Sequence, residues 1–191
     1  MKRTTFIVSL VSTILFGTTA VCAQNVNDTM PATVQHEADS NGYIVYDGDE
    51  APDFTITLTD GRTVRLSDLR GKVVLLQFTA SWCGVCRREM PSLESEIWQK
   101  HKDNPDFVFI GVDRDEPLDK VNSFAKQTGV TYPLGLDPNA DIFGLYALKE
   151  AGVTRNVLIG RDGKIVKRTR LYNEEEFSSL VKAVDALLAA E

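Results

Sequence analysis

Two cysteines three positions apart, Cys83 and Cys86, are the residues of this sequence with the clearest capacity for chemistry. They lie in the segment TASWCGVCRREMP, residues 79–91, directly after a run of apolar residues. A pair at this spacing can be a redox-active dithiol, half of a metal site or a structural disulfide. The elements around the pair decide among these three possibilities.

A helix that starts at or just after Cys83 would direct its free backbone N–H groups and its positive dipole end at that sulfur. A thiolate is stabilised in this position, and the pKa of the cysteine falls below its usual value of about 8.5. Arg87 and Arg88 add positive charge nearby. Cys86 follows one helical turn later on the same face, where it can attack a mixed disulfide formed at Cys83. Cys83 is therefore predicted to be the better nucleophile.

The other two interpretations of the pair are weaker. A structural zinc site needs four ligands, and the only histidines, His36 and His101, lie far from the cysteines in the sequence. A disulfide that closes so small a loop adds little stability to the fold, which argues against a purely structural disulfide. We therefore favour a redox dithiol and expect neither a metal nor a cofactor.

Hydrophobic patterns predict the elements that position the cysteines. Nearly continuous apolar runs are typical of strands covered on both faces, and helical spacing marks the segments between them. The predicted strands are 72–78, 107–112 and 156–160, with hairpins at 54–66 and 156–169, and the predicted helices are 88–102, 117–127, 140–146 and one capped at Asn173. This order predicts an α/β fold with a mixed central sheet flanked by helices. The cysteines follow the first buried strand, at the edge where α/β sheets form their sites.

The N-terminal residues have the pattern of a secretory signal peptide, with Lys2 and Arg3 ahead of an apolar run. We expect a signal peptide over residues 1–23, a flexible leader over 24–50 and one domain over 51–191. Lipid anchoring through Cys22 is the alternative to its removal with the signal peptide. Loss of Lys2 and Arg3 changes the net charge from -6 to -8, which argues against nucleic acid as a partner. No later stretch is long enough to span a membrane, and we expect a monomer exported to the bacterial periplasm.

The run LLQFTASWCGVCRREMPSL resembles the active-site segment of the thioredoxin fold. The segment APDFTITLTDGRTVRLSDLRGK and the extra strand and helix around residues 107–128 are similar to the TlpA/ResA-like thiol-disulfide oxidoreductases. The resemblance, which covers about residues 50–190, implies protein disulfides as substrates and an upstream thiol as electron donor. It implies that Cys83 attacks and Cys86 resolves, that Trp82 packs over the disulfide and contributes to docking, and that Glu89 handles protons beside the thiols. From the residues alone, Glu89 could equally be a solvated glutamate on the helix face.

Three positions depart from the pattern of this family. Val85 stands between the cysteines where many relatives have proline, and Gln77 stands where thioredoxin has a buried acid. Thr154, preceded by Val153, replaces the cis-proline opposite the dithiol. Because a non-proline cis bond costs about 3 to 4 kcal/mol, we predict a trans bond before Thr154 and a rebuilt loop. Val153 and Thr154 are then candidates for binding an extended substrate segment by strand addition, or are ordinary residues at the start of a strand.

Two other functions compete with disulfide exchange. The segment at residues 51–72 also occurs in peroxiredoxins, but their Pro-x-x-x-Thr-x-x-Cys pattern would need proline and threonine where Leu76 and Ala80 stand. A non-catalytic binding module with an incidental dithiol is the second alternative. Exchange by way of a mixed disulfide, in the reducing direction, is the function that the resemblance favours.

Overall fold

The structure, a computed structural model, describes residues 36–190. The expected signal peptide, Cys22 and the first part of the expected leader lie outside the described residues. Among residues 36–190, no helix combines the length and the apolar character that crossing a bilayer requires.

Seven strands form one sheet, which is mixed, as the sequence predicts. They are β1 Thr55–Leu58, β2 Thr63–Arg65, β3 Val73–Thr79, β4 Phe107–Arg114, β5 Leu134–Asp137, β6 Arg155–Ile159 and β7 Ile165–Arg170. Their spatial order is β2-β1-β5-β4-β3-β6-β7. The three middle strands β5, β4 and β3 are parallel, while β6 runs antiparallel to β3. Every residue of β3 is buried, which explains its continuous apolar sequence.

Five helical segments connect and flank the strands: α1 Gly84–Leu93, α2 Gln99–His101, α3 Leu118–Thr128, α4 Phe143–Tyr146 and α5 Glu174–Ala189. The predicted cap of the last helix is confirmed, because the Asn173 side chain accepts a hydrogen bond of 2.8 Å from the backbone N–H of Glu176. Gly129 ends α3 in the left-handed conformation, with φ of 72°. The described residues thus form an α/β thioredoxin-like fold.

The helix that carries the cysteines is irregular in its second half. Pro91 lies inside α1 and has no backbone N–H to donate to the preceding turn. The helix then takes π geometry over Glu94–Trp98 before it ends with α2. The first two turns, which hold the cysteines, keep regular α geometry.

Strand directions bring two distant segments to the same edge of the sheet. Thr79 at the end of β3 is paired with Asp113 at the end of β4, since these strands are parallel. β6 begins where β3 ends, because the strands are antiparallel and Phe78 is paired with Arg155. The segment that leaves β3 toward the cysteines therefore lies beside the segment that leads into β6.

The packed domain begins earlier than the predicted boundary at residue 51. Tyr43 and Val45, inside the expected leader, are buried in the core. The Tyr43 hydroxyl donates to the carbonyl of Thr169 at 2.7 Å, and the Arg155 guanidinium lies 4.2 Å above its ring. The prediction of a leader through residue 50 is therefore wrong for its last part. The apolar run YIVY at residues 43–46 is too short to show a helical or strand period.

We expect Tyr43→Ala to lower the free energy of unfolding by about 3 to 5 kcal/mol, as for other buried aromatic side chains. Tyr46→Ala is the matched control, because Tyr46 is only partly buried and should cost about 1 kcal/mol or less. Denaturant unfolding of the full chain measures both values. Equal effects of the two changes would mean that residues 43–45 do not anchor the domain.

Candidate active site

The two cysteines form a disulfide across the first turn of α1, with Cα atoms 5.3 Å apart. Cys83 is the N-cap residue of the helix, as predicted, and its Sγ accepts a hydrogen bond of 3.2 Å from the backbone N–H of Cys86. Cys83 is 8% exposed, whereas Cys86 is fully buried. The more exposed of the two cysteines is thus the one at the helix N-terminus. Within residues 36–190, no three His, Cys, Asp or Glu side chains form a group that could hold a metal ion.

Trp82, between the end of β3 and the dithiol, is 61% exposed. The residue before it is fixed from two sides. Ser81 donates from its backbone N–H and, at 2.7 Å, from its hydroxyl to the carboxylate of Glu116. Arg87 donates from Nε to the carbonyl of Ser81 at 2.9 Å. An exposed indole therefore projects from a rigidly held backbone beside the disulfide.

Thr154 lies directly against the dithiol. Its Oγ1 is 3.2 Å from Cys83 Sγ and 3.4 Å from Cys86 Sγ. Residues 36–190 contain no cis peptide bond, so the predicted trans bond before Thr154 is confirmed. Val153 and Thr154 are each only 2% exposed. The structure places Thr154 against the reacting atoms rather than on an open surface.

Three arginines hold the backbone of the loop that leads to Thr154. Arg114 donates from Nη1 to the carbonyl of Ala151 at 3.0 Å, and Arg155 donates from Nε to the carbonyl of Gly152 at 3.0 Å. Arg170 donates from Nη1 to the carbonyl of Thr154 itself at 3.3 Å. These contacts fix the backbone of residues 151–154 beside the dithiol.

Glu89 is buried in the interior, with 1% of its surface exposed, and is not a solvated residue of the helix face. It lies one helical turn beyond Cys86, and its Oε1 accepts a hydrogen bond of 2.7 Å from Asn156 Nδ2. Burial raises the pKa of Glu89 to about 7, because desolvation outweighs the hydrogen bond from Asn156. This carboxyl group can therefore gain or lose a proton near neutral pH.

Gln77, on β3, completes the polar surroundings of Glu89. Its Oε1 accepts a hydrogen bond of 2.6 Å from the Tyr132 hydroxyl. The Gln77 amide lies close enough to lower the pKa of Glu89 slightly, although no hydrogen bond of good geometry joins the two groups. Gln77 Nε2 and Glu89 Oε2 both lack a hydrogen-bond partner within residues 36–190. Position 77 thus holds a neutral amide. A buried acid at this position would compete with Glu89 for protons.

Two further carboxyl groups lie near the dithiol, Asp113 at the end of β4 and Glu116 in the turn after it. Asp113 is fully buried, and burial together with the nearby Glu116 raises its pKa to about 8. Burial by itself would raise the pKa of Glu116. The hydrogen bonds from Ser81 and the ion pair with Lys120 outweigh this effect and hold the pKa below its usual value. Asp113 is therefore the protonated member of the pair, and Glu116 is the carboxylate that holds the loop before Trp82.

Three residues of the site were not predicted from the sequence: Asn156, Asp113 and Glu116. A signal for the first was present, because Asn156 is a polar residue directly before the apolar residues 157–159 of β6 and two residues after Thr154. Asp113 likewise ends an apolar strand at the sheet edge that carries the cysteines. Nothing local to Glu116 indicates that it binds Ser81, since that contact depends on the turn after β4.

Comparison with known proteins identifies the family of this chain. Residues 46–185 match the redoxin family model. The chain is 36% identical over 121 residues to thiol-disulfide oxidoreductase ResA of Bacillus cereus, which is 63% of this chain and 68% of the relative. It is 32% identical over 123 residues to ResA of Bacillus subtilis, with 64% of this chain and 66% of that protein aligned.

Solved structures agree with this placement. A candidate protein disulfide isomerase from Bacteroides thetaiotaomicron, known from a solution structure, is 73% identical with a TM-score of 0.76, over 78% of this chain and 94% of that one. A candidate thiol:disulfide interchange protein DsbE from Chlorobium tepidum is 30% identical with a TM-score of 0.66, over 76% and 99% of the two chains. The chain therefore belongs to the redoxin family and, within it, to the ResA-like thiol-disulfide oxidoreductases.

Proposed function

We propose that the protein is an exported reductase of protein disulfides that acts through Cys83, Cys86 and Glu89. The observation that carries this proposal is the Cys83–Cys86 disulfide at the N-terminus of α1, where Cys83 is 8% exposed and Cys86 is fully buried. A helix N-terminus stabilises a thiolate, and a buried neighbour on the next turn can resolve a mixed disulfide. The relatives named ResA are thiol-disulfide oxidoreductases, which supports the same reaction here.

The reaction begins with the dithiol form. The Cys83 thiolate attacks one sulfur of a client disulfide, so that a Cys83–client disulfide forms and the other client sulfur leaves as a thiolate. The Cys86 thiolate then attacks Cys83 Sγ, which releases the second client sulfur and closes the Cys83–Cys86 disulfide. Two electrons pass to the client, whose thiolates take up protons. A dithiol donor returns the protein to its reduced form by the same two steps in reverse.

Glu89 serves as the proton acceptor for Cys86 in the second step. Cys86 is fully buried, so its thiol cannot lose a proton directly to bulk water. Glu89 is also buried, one turn away on the same helix, with its pKa at about 7. A base with a pKa near the working pH is the most effective general base. Gln77 cannot take this role, because a side-chain amide does not accept a proton at neutral pH.

Client proteins dock at the exposed face of Trp82, where an indole of this exposure offers a large apolar contact. The backbone N–H and carbonyl of Val153 make no hydrogen bond within residues 36–190, which leaves them free for an extended client segment. Val153 is nevertheless 2% exposed in the disulfide form. Strand addition at Val153 therefore requires the loop of residues 151–153 to open.

Export of the protein rests on the pattern of residues 1–23, which is that of a secretory signal peptide. An oxidising compartment outside the cytoplasm supplies disulfides as substrates, which suits a reductase. The bacterial periplasm is the compartment that fits best.

We expect Cys86→Ala to trap clients on Cys83, because the mixed disulfide can no longer be resolved from within. The change is made in the full-length protein in its native host, and the trapped adducts are separated by non-reducing electrophoresis and identified by mass spectrometry. The matched control is Cys83→Ala, which retains the buried thiol and should trap at least tenfold less. Equal trapping by both variants, or none by Cys86→Ala, would contradict the assigned roles.

Glu89→Gln should slow the resolving step by about 100-fold at pH 8, because a general base contributes on the order of 10² to 10⁴ to such a step. The rate of the wild-type protein should rise with pH through about 7, as Glu89 loses its proton. Single-turnover reduction of a disulfide-bonded protein between pH 5.5 and 8.5 measures this step. Glu96→Gln, an exposed change on the same continuous helix, is the control. A pH profile unchanged by Glu89→Gln would remove the proton-acceptor role.

Glu89 also predicts how stability depends on pH. Its pKa is raised from 4.5 to about 7 on folding, so the folded state holds the proton more tightly and loses stability as pH rises through this window. The loss reaches about 3 kcal/mol above pH 7. Glu89→Gln should abolish this part of the pH dependence, while Asp113 and Asp137 titrate equally in both proteins. Denaturant unfolding of the oxidised proteins at pH 5 and pH 8 gives the difference, and equal pH slopes would disprove the raised pKa.

A further inference from the structure

The Thr154 hydroxyl is a buried polar group whose hydrogen-bond partners are the two redox sulfurs. It lies 3.2 Å from Cys83 Sγ and 3.4 Å from Cys86 Sγ, and it makes no other hydrogen bond within residues 36–190. Buried hydroxyl groups nearly always find a partner. In the disulfide form neither sulfur carries a hydrogen atom, so the hydroxyl must be the donor. The proton of Thr154 Oγ1 is therefore directed at the dithiol.

The position of this hydroxyl is fixed by the backbone and by packing. The carbonyl of Thr154 accepts from the N–H of Leu171 at 3.2 Å and from Arg170 Nη1 at 3.3 Å. Threonine is branched at Cβ, so few side-chain rotamers are open to it. The residue is 2% exposed, and water does not compete for its hydroxyl. The donor is thus held at the sulfurs in the disulfide form.

We propose that Thr154 is a catalytic residue: in the dithiol form its hydroxyl donates to the Cys83 thiolate while it accepts from the Cys86 thiol. A hydroxyl group has one donor and two acceptor sites, so both bonds can exist together. The charge then rests on Cys83, with the proton retained on Cys86 until Glu89 accepts it. The inference rests on the proposed disulfide exchange and adds a group that acts on the reacting sulfurs.

The same hydroxyl also affects the balance between the two redox forms. A hydrogen bond to a charged sulfur is roughly twice as strong as one between neutral groups, and a disulfide sulfur is only a weak acceptor. The hydroxyl therefore stabilises the dithiol form more than the disulfide form. When a dithiol donor attacks Cys83 Sγ and Cys86 leaves as a thiolate, the hydroxyl is within reach of that leaving sulfur also.

Other titratable groups lie near the dithiol. Arg170 donates to the Thr154 carbonyl, Arg87 follows Cys86 on α1, Glu89 lies one turn beyond Cys86, and Glu116 accepts from Ser81 in the segment before Trp82. A change at position 154 that removes only the hydroxyl leaves all four groups in place. The effect of the hydroxyl can thus be measured separately.

Thr154→Val is the test, because valine has nearly the same shape and lacks the hydroxyl. We expect the pKa of Cys83, measured by iodoacetamide alkylation of the reduced protein against pH, to rise by about one unit. We expect the equilibrium with a glutathione buffer to shift toward the protein disulfide by three- to tenfold, where tenfold corresponds to about 30 mV. Thr154→Ser keeps the hydroxyl and should stay within about twofold of the wild-type protein in both measurements.

The possible outcomes distinguish an effect of the hydroxyl from an effect of side-chain packing. They also distinguish failure of this inference from failure of the proposed function. If Thr154→Ser shifts both measurements as far as Thr154→Val, the shift does not depend on the hydroxyl and the inference is wrong; if neither variant differs from the wild-type protein, it is also wrong. Thr154→Ala, which removes the hydroxyl without a branched side chain, gives the same test if Thr154→Val does not fold. Alkylation needs no client, so a wild-type protein that reduces no client protein would disprove the proposed function and leave the role of the hydroxyl measurable.

Discussion

The pairing of β3 with β6 is the constraint on which the active site depends. β3 ends where the antiparallel β6 begins, so the residues that lead to Cys83 and the loop that ends at Thr154 lie side by side. The same register pairs Gln77 with Asn156, and it places the Asn156 amide against Glu89. A shift of one residue would turn Asn156 and its neighbours to the opposite face of the sheet. One register thus positions both the Thr154 hydroxyl at the sulfurs and the Asn156 amide at the Glu89 carboxyl group.

The polar residues behind the cysteines lower the stability of the fold. Gln77, Glu89 and Asn156 each have a buried nitrogen or oxygen atom without a hydrogen-bond partner in the described part of the chain. A buried polar atom left unpaired costs about 1 to 3 kcal/mol, and apolar residues would fill the same space without that cost. Apolar residues in these positions could not, however, exchange a proton. A carboxyl group with a pKa near 7 requires a site that excludes water and offers few donors, so this cost is a condition of the proposed proton transfer.

The elements of the fold that depend on neighbouring residues in the chain could be predicted from the sequence. The buried strands, the helix start at Cys83 and the cap at Asn173 follow from apolar runs, from spacing and from one capping side chain. The contacts of Thr154 with the sulfurs and of Asn156 with Glu89 depend on strand register across about 70 residues, which no local pattern encodes. Tyr43 was missed for the same reason, because its partners Arg155 and Thr169 lie more than 100 residues away.

Threonine at position 154 gives the loop a polar side chain that proline would lack. Proline fixes its own φ and has neither a backbone N–H nor a polar side chain, so it could hold the loop but could not donate to sulfur. Here the loop is held instead by arginine donors on the carbonyls of Ala151, Gly152 and Thr154. This arrangement buries the Arg155 guanidinium with Nη1 unpaired among the described residues, against the ring of Tyr43. The segment around Tyr43 therefore supports the arginine that fixes the loop, and the loop presents a hydroxyl group to the dithiol.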